Sequence, residues 1–598
     1  MAGAAGNHGY RRHAAVSGAS RRALAGAILT LAALIGAINP SEARPGLRPD
    51  AALQRLFSDE WTERLRDDPL FATAVGVHDY DDRLPAVAPA DFERQARETG
   101  RFLERLSALR RARLAPADQL DYDLFDYELR DRLALARFRD WRIPLTSDSG
   151  FHTEVLRMAD GVAMPRAADV ERYIARLEAV PAYFDQQVAN LRQGLERGYA
   201  TATTDTGHLA SDQTWGTNRA KEVDYGHRGT HVTTVASKDL TTAFYGKPLN
   251  RAYFNGCSNG GRQALMEVQR YPTDFDAIIA GDPATGTPMQ MGRGLVFQKM
   301  LASTEAYLPQ SKVELISNAT LAACDATDGL KDGLITDPTK CTFRIETLKC
   351  KGGDGPNCLN AKQLEVVQQI YNGYKLPNGE VYAWGFPFGH EGSASGWQAW
   401  INGSVAPTKR QDGSLVFTEK LPSGYALSDT NFKFLSTDED DPTFDWRTFD
   451  LARALPRLKV MTDILSPLDP DLRPFKAHGG KLLMYHGWSD PAISALGTVD
   501  YFNKVGKVVG SQQELDAFVK LFLVPGMHHC SGGPGPNEFD ALTALENWSE
   551  KGQPPAMMLA THKTDGKVDR TRPLCPHPQV ATYKGSGSVD DAANFICR

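Results

Sequence analysis

Gly256-Cys257-Ser258-Asn259-Gly260 is the stretch on which the reading of this chain turns. It is a G-x-S-x-G turn with a cysteine directly before the serine. Arg251-Ala-Tyr-Phe-Asn255 ahead of it has the character of a short buried strand, and Arg262-Gln-Ala-Leu-Met-Glu-Val-Gln-Arg270 after it that of a helix. Strand, sharp turn and helix together form the setting in which a serine is lifted out at the top of a sheet as a nucleophile. The glycines fit a crowded, strained turn, where a Cβ near the serine would clash. A bare G-x-S-x-G also occurs as a plain turn, and the flanking pattern is what selects the nucleophile elbow.

The partners such a serine needs follow in the order Ser, Asp, His that this fold uses. Lys481-Leu-Leu-Met-Tyr485 reads as a strand and runs into His486-Gly-Trp-Ser-Asp490, which places an acid just past a strand end. Val519-Lys-Leu-Phe-Leu-Val524 reads as another strand and runs into Pro525-Gly-Met-His528-His529-Cys530. In this arrangement Ser258 attacks a carbonyl, His529 takes its proton, and Asp490 orients the imidazole. His528 is the rival base and is expected to be structural, as is His486. Cys257 adjoins the nucleophile and Cys530 adjoins the base. A disulfide between them would tie the two catalytic loops together; the alternative is a buried free thiol or a nucleophilic cysteine at position 257.

A Cys-Ser pair, a distant Asp and a His-Cys pair resemble the tannase and feruloyl esterase family of serine esterases. The resemblance runs from Arg197-Gly-Tyr-Ala-Thr-Ala-Thr-Thr-Asp-Thr-Gly-His208 to the end of the chain, with further blocks at Val223-Asp-Tyr-Gly-His-Arg228 and Gly281-Asp-Pro-Ala284. It implies an α/β-hydrolase core, with the N–H of Asn259 as an oxyanion donor, acting on aromatic esters of galloyl or feruloyl type, derived from plant polyphenols or cell walls. It also implies the pairings Cys257–Cys530, Cys324–Cys341, Cys350–Cys358 and Cys575–Cys597 among the eight cysteines.

Cys324-Asp-Ala-Thr-Asp-Gly-Leu-Lys-Asp-Gly-Leu-Ile-Thr-Asp337 carries acids at short spacing between glycines. Such a loop can turn carboxylates and carbonyls onto one hard cation, although it lacks the EF-hand spacing. It can equally be a solvated Asp-Gly cluster. The resemblance implies structural calcium, held by the side chains of Asp325, Asp328 and Asp332 and the carbonyls of Leu330 and Leu334.

The region before residue 197 has a different character. It holds no cysteine, and Leu53, Leu56, Phe57, Trp61 and Leu65 keep helical spacing, as do Phe102, Leu103, Leu106 and Leu109. Tyr173, Leu177, Val180, Phe184, Val188 and Leu191 continue such a stripe, with Pro181 starting a second helix. The segment resembles the N-terminal part of a helical, metallopeptidase-like bacterial family of unassigned function, on Asp68-Pro-Leu-Phe-Ala-Thr-Ala-Val-Gly-Val77 and Asn190-Leu-Arg-Gln-Gly-Leu-Glu-Arg-Gly-Tyr199. A zinc peptidase is not expected, because His390-Glu391 meets Ala394 where an HExxH helix needs its second histidine. The esterase family normally carries strands and a glycine-rich oxyanion loop ahead of residue 197, and no equivalent is found here. An α/β fold with an incomplete hydrolase core therefore stands beside an all-α domain, and the alternative to a working esterase is a fusion with a weakly active or inactive one.

Arg11, Arg12, Arg21 and Arg22 precede the apolar run 23–38, and Ser41-Glu-Ala43 offers a small-x-small cleavage site. That is the pattern of an export signal, and the run is too short for a spanning helix. A secreted or periplasmic protein without stable membrane insertion is expected, and export permits disulfides. At 598 residues the chain is expected to hold several domains. A net charge of −6, without a long basic patch, gives no reason to expect nucleic acid as a partner. The expected organisation is a signal at 1–43, a helical domain at 45–196, hydrolase core at 197–284 and 452–598, and a calcium-carrying lid at 285–451.

Overall fold

The computed structural model describes residues 50–138, 158, 162, 164–183, 198–208, 215–376, 378–393, 395–409, 415–416, 422–564 and 566–598. The export signal, the stripe beyond Tyr183 and the boundary near residue 197 lie outside the described residues. The chain divides into two compact units, Met1–Trp141 with Ala159–Asn190, and Arg142–Met158 with Leu191–Arg598.

The first unit is helical. Asp50 caps α1 (Ala51–Asp67) by accepting the N–H groups of Ala52 and Leu53. Prolines open α2 (Pro69–Ala74), α3 (Pro89–Ser107) and α4 (Pro116–Phe138), where their missing N–H costs nothing. Leu53, Leu56, Phe102, Leu106, Phe125 and Leu129 form the core between α1, α3 and α4. Trp61 lies on the rim, edge-on to Phe71. In α5 (Ala167–Glu178) the expected apolar stripe is not the buried face. Leu177 is exposed, and the buried residues are Asp169 and Arg176. Arg176 takes the interior because two of its three guanidinium nitrogens find partners there: it pairs with Asp81 at 3.2 Å and donates to the carbonyls of Tyr80 and Arg83, while Nη1 is left without a partner.

The second unit is built on a parallel sheet of four strands in the order β1 (Tyr253–Cys257), β2 (Ala277–Gly281), β3 (Lys481–Gly487), β4 (Val519–Val524). Apolar side chains leave both faces, as a covered parallel sheet requires. Ile278, Leu482, Met484 and Leu521 point to one side, with Leu265 and Val268 of α7 (Asn259–Arg270). Ile279, Leu483 and Phe522 point to the other, with Leu545 and Trp548 of the helix Ala541–Lys551. Adjacent residues thus serve opposite cores, the period of two that a strand imposes. Among the described residues no strand precedes Tyr253, so the strand that leads to Ser258 is an edge of this sheet. Helix α6 (Gly229–Tyr245) precedes it.

Between β2 and β3 the chain forms an insertion with helices α8 (Thr287–Leu301), α9 (Gln310–Cys324) and α10 (Ala361–Asn372). It has its own core of Phe297, Leu308, Ile316, Val367, Ile370, Phe386 and Trp397. Past β4 a hairpin, β5 (Met558–Thr564) and β6 (Lys567–Leu574), closes the unit. Among the described residues no helix is long and apolar enough to cross a membrane.

Candidate active site

Ser258 sits between β1 and α7 with φ of 63°, a left-handed backbone that an L-residue adopts only under constraint. The constraint is visible around it. Its N–H donates to the Gly281 carbonyl at 3.0 Å, and its own carbonyl accepts from Arg262 and Ala284. A Cβ on Gly256 would lie 2.4 Å from the Gly260 carbonyl oxygen, and one on Gly261 would lie 2.2 Å from that of Gly281. Gly260, the last glycine of the motif, faces open space. The steric demand therefore falls on Gly256 and on Gly261, the glycine just past the motif. Asn259 is held by Arg262, whose Nε donates to its Oδ1 at 2.7 Å. Arg262 is fully buried and also donates to the carbonyls of Tyr225 and Gly226. Nothing in the local pattern marks that arginine.

The structure brings Ser258, His529 and Asp490 together. His529 Nε2 lies 2.8 Å from Ser258 Oγ, and His529 Nδ1 lies 2.7 Å from Asp490 Oδ2. The other carboxylate oxygen of Asp490 accepts the N–H groups of Ala492 and Ile493 at 2.7 and 2.9 Å. Burial works against the Asp490 anion, but His529 and His486 outweigh it and hold the carboxyl well below the usual range. Burial likewise works against the His529 cation, and Asp490 outweighs it, so the imidazole titrates above its ordinary value.

Neither neighbouring histidine is bonded to Ser258: His528 turns to the insertion, and His486 stands behind the acid with Nε2 3.4 Å from Asp490 Oδ2. His528 lies between Ser393 and Ser395 of the insertion, with Nε2 at 2.7 Å from one hydroxyl and Nδ1 at 2.5 Å from the other, and burial pushes its pKa down. His486 is fully buried, with Nδ1 at 2.8 Å from Thr498 Oγ1 and Nε2 at 3.1 Å from the Ile493 carbonyl. Trp400, from the insertion, stands edge-on to His529 at 5.3 Å between ring centroids. Of the other insertion aromatics, Phe386 and Trp397 are core.

All eight cysteines are paired, as Cys257–Cys530, Cys324–Cys341, Cys350–Cys358 and Cys575–Cys597. The first joins positions 273 residues apart, beside the serine and beside the histidine. A loop of that length places it at the strong end of the chain-entropy scale, about 5 kcal/mol.

The acidic loop after α9 folds back on itself through Gly329 and Gly333, with φ of 87° and 83°. Asp325 accepts from the N–H groups of Asp332 and Gly333, and Asp328 from that of Leu330. Asp332 is buried against Arg572 of β6. The donors this loop offers, carboxylates and carbonyls, are hard oxygens of the kind calcium takes.

Comparison with known proteins gives two family matches, which overlap at residues 179–244. The family model described as tannase and feruloyl esterase matches residues 179–598. A second, described as a bacterial protein of unknown function (DUF885), matches residues 69–244. The mono(2-hydroxyethyl) terephthalate hydrolase of Piscinibacter sakaiensis is 32% identical over 459 residues, which span 68% of this chain and 75% of that protein. An uncharacterized esterase of Xanthomonas campestris is 33% identical over 449 residues, 69% of this chain and 77% of the relative. Among solved structures, an esterase from Aspergillus oryzae superposes with a TM-score of 0.60 at 29% identity, covering 70% of this chain and 81% of its own. Feruloyl esterase B from Aspergillus oryzae superposes with a TM-score of 0.59 at 26% identity, covering 68% and 80%.

Proposed function

The chain belongs to the tannase and feruloyl esterase family and is a carboxylic ester hydrolase, and from that premise we propose that it cleaves aromatic esters of galloyl or feruloyl type through a Ser258–His529–Asp490 triad. One observation carries the triad: the unbroken run of hydrogen bonds from Ser258 Oγ through both ring nitrogens of His529 to Asp490. Ser258 Oγ attacks the ester carbonyl carbon while its proton passes to His529 Nε2, and Asp490 stabilises the imidazolium. The carbonyl oxygen becomes an oxyanion, and the N–H of Asn259 is its donor. Collapse of that intermediate expels the alcohol, which takes the proton back from His529 and leaves an acyl-enzyme on Ser258. Water, deprotonated by His529, then releases the aromatic acid. The flat ring of Trp400 beside His529 suits a planar acyl group.

The hard oxygens of the acidic loop support calcium by their chemistry, while in this structure Asp325 accepts the N–H groups of Asp332 and Gly333 and Asp332 pairs with Arg572. Asp325, Asp328 and Asp332 with the carbonyls of Leu330 and Leu334 would hold the ion, and its chemistry there is structural, cross-bracing a loop already stapled by Cys324–Cys341. Export to an oxidising compartment accords with four disulfides and the apolar, arginine-led start of the sequence.

A second reading, a weakly active esterase, is favoured by β1 being an edge strand among the described residues. An oxyanion hole uses two donors, and losing one costs about 100- to 1000-fold in rate. Hydrolysis of methyl gallate, methyl ferulate and a p-nitrophenyl ester by the purified chain, with Ser258→Ala as control, decides between them. Turnover at ordinary esterase rates that the substitution abolishes supports the first reading. Serine-dependent turnover lowered by that factor supports the second. Turnover unaffected by Ser258→Ala overturns the triad.

A further inference from the structure

Directly after β2, Asp282 is a carboxylate that the esterase mechanism does not use. It is fully buried and its φ of 37° puts a non-glycine residue in the left-handed region. Its N–H donates to the Tyr485 carbonyl at 2.9 Å, which extends the β2–β3 pairing by one residue. Its Oδ1 accepts the N–H of Gly487, at 3.0 Å, where β3 ends and the loop to Asp490 begins. Its Oδ2 accepts the N–H of Cys530, the residue after His529. The same oxygen lies 3.7 Å from Cys257 Sγ, next to Ser258. Three catalytic loops thus meet on one side chain.

We propose that Asp282 is a positioning residue of the hydrolase, a buried anion that clamps the loops carrying Ser258, Asp490 and His529 and adds its negative charge behind the imidazole. The proposal rests on the triad reading given above. The physical argument is that a carboxylate accepts only, and here both its oxygens meet backbone donors that no water reaches. Replacing it leaves two buried N–H groups without partners and frees the loops to shift. The groups facing it are His486, whose Nε2 lies 4.0 Å away, Asp490 and His529 beyond it, and the Tyr485 ring packed on Gly281. Arg293, on α8, donates to the Ala492 carbonyl at 3.3 Å and brings a buried cation to the far side of Asp490. Burial pushes the Asp282 carboxyl up, yet each of its two oxygens accepts a backbone N–H, the pattern of the carboxylate rather than of the acid. Its charge is one of those raising His529.

Asp282→Asn tests this. The amide keeps the shape but turns an N–H₂ toward one of the two backbone donors. The expected kcat falls about 10- to 100-fold, the scale of an ångström's misplacement of a catalytic group, with KM little changed. The second expectation is the one a merely structural residue would not meet. Removing an anion behind His529 lowers its pKa, so the acid limb of kcat/KM moves to lower pH. Following the His529 ring by NMR in nitrogen-labelled protein gives the same shift without turnover, which separates failure of this proposal from failure of the esterase reading. Wild-type amide exchange at Gly487 and Cys530 covers the case in which the variant does not fold. Slow exchange at both supports the clamp. An unshifted His529 titration in a folded variant, or rapid exchange at either amide, overturns it.

Discussion

Asp490→Asn is the substitution for which this geometry makes the sharpest demand. The two oxygens of Asp490 are not equivalent. One accepts the N–H groups of Ala492 and Ile493, and the other faces His529 Nδ1. An asparagine has one acceptor end, and the two backbone donors claim it, since an N–H₂ group there would face two N–H groups across less than 3 Å. The amide nitrogen must then point at His529. Facing a donor, His529 Nδ1 has to be the acceptor, so the ring proton moves to Nε2, 2.8 Å from Ser258 Oγ. A nitrogen that already holds a proton cannot take the serine's. The fold keeps its shape while the base is in the wrong tautomer. Loss of a triad acid in this way lowers kcat by about 10,000-fold, or about 5 kcal/mol of barrier. Steady-state hydrolysis of a p-nitrophenyl ester reads kcat and KM, and thermal unfolding confirms that the variant is folded. KM is expected to hold while kcat falls. A folded Asp490→Asn enzyme within tenfold of the wild type would refute the tautomer argument, and with it the role of Asp490.

Two more outcomes follow from buried charge and from the acidic loop. Glu267 of α7 is fully buried, and burial first, then Asp274, push its carboxyl up to about 9. The folded protein then holds a proton that the unfolded chain gives up near 4.5, so stability falls as pH rises between those values. Glu267→Gln resembles the neutral acid and should match the wild type near pH 4.5 and exceed it near pH 8 in urea denaturation; a variant that is less stable at pH 8 contradicts this. Calcium at one hundred times its Kd would stabilise the folded chain by about 2.7 kcal/mol. Chelation should therefore lower Tm in the wild type and leave Tm of Asp325→Asn nearly unmoved. An equal response in both places the ion elsewhere.

What the sequence made legible was what it encodes locally. The strand, turn and helix around Ser258 lie within twenty residues, and each rests on short-range rules: a β-forming run, a crowded turn, an amphipathic helix. Asp490 and His529, which the structure places in line with Ser258, could be picked out because each follows an apolar run that forms a strand. Other parts were hidden because their cause lies far away in the chain. Asp282 stands in the block Gly281–Ala284 that the family resemblance marked, but its role did not show, because its partner Cys530 is 248 positions distant. Arg262 looks like the polar face of a helix, yet its guanidinium is fixed by carbonyls 36 and 37 residues earlier. Periodicity went wrong at α5 for a related reason, since an Arg176–Asp81 ion pair occupies an interior position that apolar counting assigns to Leu177.

The edge position of β1 bears on rate rather than on triad geometry, and the reason lies in where the restraints attach. Ser258 is tied to β2 by its N–H bond to Gly281 and to the histidine loop by Cys257–Cys530. Asp282 ties that loop and the end of β3 back to β2. Arg262 fixes Asn259 from the α7 side. Each of these restraints runs through β2, β3, β4 or α7, and none needs a further strand beyond β1. The distances from Ser258 to His529 and from His529 to Asp490 can therefore persist whatever covers the open edge. Stabilisation of the oxyanion is a separate quantity, because the second donor must come from backbone that approaches the serine from elsewhere. Proton transfer and oxyanion stabilisation thus become separable in this protein. A slow enzyme with a normal acid limb would place the deficit in the oxyanion hole, whereas a displaced limb would place it in the triad.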